Sequence, residues 1–212
     1  MLDSAIRQGE SLIVRMGLND GSMIPEHPFR VLHLMKFISP VAIILGQDPY
    51  STRDTATGIA FANFKREGEY KNIPLSPSLE VIKESVYESG ENGVFDETLS
   101  YWITQGIFPI NVFWTVKEGQ PMSHSGYWVN YTMEVLSNIS SEYPNLFYVG
   151  FGRLAAAFQG SLTSYAQFDE EFHPAYYARS GHPMPPKVWC DLRNCVREQT
   201  GKDVFLTNSV KY

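Results

Sequence analysis

The sequence predicts a three-layer α/β/α domain built on a central four-stranded, mainly parallel sheet, and three observations carry that expectation. Four short apolar runs, each followed by turn residues, read as buried strands. Stretches with helical spacing alternate with them. No internal repeat, low-complexity tract or linker divides the 212 residues, so a single domain over 1–212 is expected.

The elements follow in order. Met1 to Glu10 has neither a basic n-region nor an apolar h-region and reads as an amphipathic first helix of a cytoplasmic protein. Val41 to Leu45 is the best strand and also the longest apolar run, far too short to cross a bilayer, so no membrane association is expected. Ser76 followed by Pro77 resembles a helix N-cap with proline in the first turn, and Leu79, Ile82 and Val86 supply the buried face. Ile107 to Val112 is the second strand. Trp128, Thr132, Val135, Leu136 and Ile139 form another helical face. Leu146 to Val149 and, more weakly, Tyr165 to Phe168 complete the sheet. Val188, Leu192, Cys195 and Val196 mark a last helix that ends at Gly201.

Composition narrows the function. Apolar residues make up 43% and charged residues 19%, enough for a sizeable core. A net charge of −6 argues against coating nucleic acid through charge alone. It leaves room for a protein that grips a short stretch with backbone amides, hydroxyls and a few cations. Cys190 and Cys195 read as small buried residues in a reducing compartment; a zinc site would need further ligands, so neither metal nor cofactor is expected.

In a parallel sheet, ligands bind beyond the carboxyl ends of the strands. The residues there are Gly46-Gln47-Asp48-Pro49-Tyr50, Asn111, Gly150-Phe151-Gly152 and His173-Pro174. Alone, the first is ordinary turn chemistry. Together they bring a carboxylate, an amide and an imidazole toward one crevice. A competing reading comes from Gly150 to Ala155, which fits G-x-G-x-x-A, with Asp169 to Glu171 near the spacing of a ribose-binding acid. That would make a nucleotide-binding oxidoreductase, but such a turn belongs to the first strand and this one lies late in the chain.

From about Val41 to Trp189 the sequence resembles the main family of uracil-DNA glycosylases, as a divergent member. Gly46 to Tyr50 is similar to the family's water-activating motif, and Gly58-Ile-Ala-Phe61 to the segment with the uracil-stacking phenylalanine. Ser76-Pro77-Ser78-Leu79 resembles its backbone-gripping loop. Gln105 to Val116 is similar to the stretch with the uracil-reading Asn111. Ser123-His124-Ser125 with Trp128 resembles a DNA-facing loop, and His173-Pro174 opens a segment similar to the leucine loop.

The resemblance implies hydrolysis of the bond between uracil and deoxyribose, in single- or double-stranded DNA, by a monomer that flips the base. A protein inhibitor or replication partner is also open. Such a reaction builds an oxocarbenium-like sugar and a departing base anion. Asp48 is the candidate to stabilise the cation and orient water. His173, neutral, is the candidate donor to uracil O2. Asn111 offers the donor–acceptor pattern that uracil matches and cytosine reverses. Gln47 and Tyr50 flank the base, with Tyr50 against C5 where thymine carries its methyl, and Phe61 supplies a flat face. DNA contacts fall to Ser76, Pro77, Ser78, His124, Ser125, Tyr177 and Arg179.

The sequence also departs from the family. Where Ser-Pro-Leu-Ser usually follows His-Pro, this chain has Ala175-Tyr176-Tyr177-Ala178-Arg179, which puts Tyr177 at the wedge position on the same expected loop as His173. Ser51 stands where histidine is usual, and Ser51 to Thr57 replaces a glycine-rich segment. These changes touch the grip on DNA more than the chemistry. A catalytically idle DNA-binding relative is a third reading, against which Asp48 and His173 both stand.

Overall fold

A computed structural model describes residues 1–63, 74–163 and 166–209. The chain runs α1 (Leu2–Arg15), β1 (Met23–Ile24), α2 (Arg30–Met35), β2 (Ala42–Gly46), α3 (Pro77–Glu88), α4 (Ser100–Thr104), β3 (Ile107–Asn111) and β4 (Val116–Lys117). It continues through α5 (Ser125–Glu142), β5 (Phe147–Phe151), α6 (Arg153–Ala156), a 3₁₀ turn (Ala157–Ser161), β6 (Gln167–Glu171), α7 (Pro174–Ser180) and α8 (Lys187–Thr200).

Four strands pair in the order β3-β2-β5-β6, every pair parallel. All five residues of β2 and of β5 are buried. Side chains alternate between the two faces of a strand, so full burial requires cover on both. Helices α1, α2 and α5 meet around Phe29, whose ring packs on Trp114, Trp128 and Tyr131. Helices α3, α4 and α8 meet around Trp189, which packs on Trp102 and Phe151. Each of the four tryptophans donates its indole N–H to an oxygen, so the large rings are buried without an orphaned donor.

Register aligns the site. Gly46 pairs with Asn111, Leu45 with Gly150, and Phe151 with Glu171, so the carboxyl ends of the four strands finish level. From β2 the chain goes to β3 on one side, and from β5 to β6 on the other, which opens a crevice where the two central strands end.

The expected helices are present. Ser76 caps α3 by accepting from the Leu79 N–H, and Gly201 ends α8 in the left-handed conformation. The expected strand Tyr165 to Phe168 needs correction. Tyr165 lies outside the described residues, and the strand is β6, Gln167–Glu171, an edge strand rich in acid that carries no apolar run. The segment after His173 was expected to be a loop, but it is helix α7, with His173 as its N-cap, Pro174 in its first turn and Gly181 left-handed at its end.

Candidate active site

Beyond the level strand ends lies a cavity of about 230 Å³ whose lining includes Gln47, Asp48, Tyr50, Phe61, Asn111 and His173, with Ser78 beside them. Every side chain that the sequence singled out for catalysis or base reading borders this one space. They come from the turn after β2, the segment past Gly58, the end of β3, and the junction of β6 with α7.

Asp48 is held at both oxygens. Its Oδ2 accepts the Met122 N–H at 2.8 Å, and its Oδ1 accepts from Gln47 Nε2 at 3.0 Å. Burial pushes its carboxyl above the ordinary carboxylate range, against the pull of these two hydrogen bonds. Met122, which the sequence did not suggest, has φ +63, a conformation that costs a non-glycine residue about 1–3 kcal/mol. Nothing in a methionine signals that role.

His173 is oriented by the start of α7. The Ala175 N–H donates to its Nδ1 at 3.1 Å, so in the neutral ring the proton sits on Nε2. Burial, helped by the charge of Arg179, lowers its pKa, and the imidazole is neutral at pH 7. A neutral ring with its donor on the free nitrogen can serve a developing oxyanion.

Phe61 packs edge-on against Phe151, with ring centroids 5.5 Å apart, and tilts toward His173 at 5.9 Å. It too is left-handed, at φ +64. Tyr50 Oη donates to the Phe61 carbonyl at 2.8 Å and pairs with Ser76 Oγ. Since that tyrosine proton goes to Phe61, Ser76 donates to Tyr50 while accepting from Leu79 N–H. The chain of bonds ties the cap of α3 to the pocket wall. Burial raises the Tyr50 phenol to about 12, so it stays protonated and keeps this role.

Asn111 faces Gly46 across the β2–β3 pair. A β-carbon at Gly46 would lie 2.8 Å from Asn111 Oδ1 and 3.0 Å from the Phe61 ring. Gly46→Ala is therefore expected to displace the amide, at an overpacking cost on the order of 1–3 kcal/mol. Turnover at this site should fall about tenfold or more while the protein still folds, a pair of outcomes that kinetics and a melting curve check together.

The DNA-contact assignments fare differently. Pro77 is exposed and Ser78 buried at the first turn of α3, but the Ser76 hydroxyl is committed to the cap and to Tyr50. Ser125 is half-buried at the start of α5. His124 requires correction: it is 8% exposed, with Nδ1 3.0 Å from Thr115 Oγ1, because Thr115 ties it and Trp128 into the core. Tyr177 also requires correction as a wedge. Its ring is 7% exposed and its Oη donates to Glu171 Oε1 at 2.6 Å, because on a helix it faces inward where its neighbour Tyr176 faces out. Arg179 is exposed on α7.

The G-x-G-x-x-A segment has a packing explanation. A β-carbon at Gly150 would lie 2.6 Å from Phe168 Cζ, and one at Gly152 would lie 3.0 Å from His173 Cβ. The helix that follows, α6, has four residues. Cys195 donates its thiol to Gln167 Oε1, and burial pushes the thiol up to about 11, a packing role.

No family model matches the chain. Among solved structures, that of mimivirus uracil-DNA glycosylase superposes with a TM-score of 0.77 at 20% identity, covering 88% of this chain and 75% of that one. The wild-type UNG of Nitratifractor salsuginis gives 0.55 at 17% identity, over 82% and 86%. These agree in fold. Closer in sequence is the uracil-DNA glycosylase of Oceanobacillus iheyensis, 33% identical over 163 residues, 76% of this chain and 65% of that protein. The uracil-DNA glycosylase of Borreliella burgdorferi strain ZS7 is 31% identical over 157 residues, 73% of this chain and 68% of its own length. With identity of that extent carried over most of both proteins, on the same fold, the chain belongs to the uracil-DNA glycosylase family.

Proposed function

We propose that the protein hydrolyses the N-glycosidic bond of uracil in DNA, releasing free uracil and leaving an abasic site for base excision repair. Within the family we assign it to the main Gly-Gln-Asp-Pro-Tyr branch, as a divergent member acting as a monomer. One observation carries this reading: Asp48 and Tyr50, Phe61, Asn111 and His173, from four separate segments of the chain, border one small cavity. The test is direct. A labelled uracil-containing oligonucleotide, incubated with the protein and then treated with alkali, is expected to be cut at the uracil; an uncut strand overturns the proposal.

In this mechanism the nucleotide leaves the helix, because its glycosidic bond is unreachable inside a duplex. The base enters beside Phe61, with Tyr50 against C5 and the Asn111 amide on O4 and N3–H. Bond cleavage leaves positive charge on the sugar and negative charge on the base. Ionised Asp48 stabilises the first and orients the attacking water, while the Nε2–H of His173 donates to O2.

The pH dependence has a definite sign. Asp48 acts ionised, and burial raises its pKa, so the acid limb of the rate profile should lie above the ordinary aspartate value of about 3.9. The rate should rise with pH through that limb. His173 is already neutral at pH 7 and loses no proton just above it, so no alkaline fall should come from the imidazole. Single-turnover rates across that range check both halves.

Base choice follows from the two walls of the pocket. Tyr50→Ala should admit thymine by opening the space at C5. A snug apolar pocket alone rejects one methyl by only about 1–3 kcal/mol, so the rigid ring has to supply the rest. Asn111→Asp should weaken uracil selection and admit cytosine, because a carboxylate lacks the amide's donor. Efficient thymine release by the wild type would remove Tyr50 from this role.

A further inference from the structure

On either side of His173 in the chain, just before it and on the helix it caps, stand two aromatic rings that the mechanism above leaves idle. Phe172 is 62% exposed and Tyr176 is 44% exposed, yet their ring centroids lie 5.0 Å apart at an interplanar angle of 32°. The pair is built rather than incidental. Glu171 Oε1 accepts the Phe172 N–H at 2.7 Å and the Tyr177 hydroxyl at 2.6 Å. One carboxylate therefore fixes the backbone under Phe172 and draws Tyr177 inward. Tyr177 in turn meets both exposed rings edge-on, with centroids 6.3 Å from Phe172 and 5.3 Å from Tyr176. The result is a supported aromatic shelf in solvent.

Its position gives it a use. Phe172 directly precedes His173, whose Cα is about 3.8 Å further along the chain and whose side chain borders the cavity. Asp169, Glu170 and Glu171 run along the adjoining edge strand, and the whole chain carries a net charge of −6. That setting leaves little for phosphate beyond the exposed Arg179 of α7, so a strand lying here needs a hold besides charge. Bases stack on aromatic rings regardless of sequence, and such stacking is a main source of affinity for single strands.

We propose that Phe172 and Tyr176 form a second subsite, which takes the nucleobase next to the uracil by stacking. This rests on the uracil-excision reading above. The shelf, and not the inward-facing Tyr177, is then the aromatic surface that meets DNA at this side of the pocket. Glu171 is a positioning residue, acting through the two groups it holds.

The test is a double-mutant cycle between protein and substrate. Single-stranded oligonucleotides carry uracil flanked by normal bases, or by a tetrahydrofuran abasic residue on the 5′ or the 3′ side. Phe172→Ala and Tyr176→Ala are each expected to slow uracil release from the intact strand by about tenfold. On the strand lacking the neighbouring base, the wild type should already be slowed, and the same variants should lose little more. Equal losses on all three substrates, or no loss on any, overturn the subsite while leaving uracil excision standing. Should the wild type release no uracil at all, the underlying reading fails instead. Binding then decides the subsite: 2-aminopurine placed beside the uracil should be quenched by the wild type and not by Tyr176→Ala, and identical quenching by both overturns it.

Discussion

Asp48→Asn is expected to slow single-turnover uracil release by ~10²–10⁴-fold, the usual scale for a positioned acid–base group. The substitution suits the site because it should leave the fold intact. Its remaining oxygen can keep the Met122 N–H, and the Gln47 amide can turn so that its oxygen accepts from the new N–H group. What disappears is the negative charge that the sugar cation needs and the basic atom that the water needs. Binding to uracil-containing DNA should therefore survive, and the acid limb of the rate profile should vanish with the carboxylate. A wild-type single-turnover rate in this variant would sink the mechanism, whatever the protein does with DNA.

The second large effect is expected at His173. Removing a preorganised donor to a developing oxyanion costs about 3–4 kcal/mol, so His173→Ala should lose roughly two to three orders of magnitude in rate. The same side chain also caps α7 by accepting the Ala175 N–H, and losing a cap costs about 1 kcal/mol of stability. The two losses can be told apart. His173→Asn retains a side-chain acceptor suited to an N-cap but lacks the reach of Nε2. It should melt close to the wild type and still be slow. If His173→Asn recovers the rate as well as the stability, His173 serves the helix and not the base.

The sequence by itself determined the parts that depend on local chemistry. β2 was legible because a strand covered on both faces must be apolar at successive positions, as Ala42 to Leu45 are. α3 and α8 were legible because Ser76-Pro77 and Gly201 are end signals whose physics is local. The site was legible for a related reason: parallel strands present their carboxyl ends together, so Asp48 and Asn111 had to meet once β2 and β3 were found. Other features had no local signature. β6 is an acidic edge strand whose identity comes from pairing with β5, and β1 and β4 are too short to show a period. α7 carried the same proline and glycine signals as other helices, but likeness to a loop hid them. Only tertiary structure decided which of two adjacent tyrosines faces solvent, since Glu171 reaches Tyr177 through space and helical geometry then turns Tyr176 outward. Only tertiary structure, likewise, brought the Met122 N–H to Asp48 and drew His124 under Thr115. The Met122–Asp48 contact joins residues 74 positions apart, which no window of sequence contains, and the shorter-range contacts depend on how the intervening chain folds.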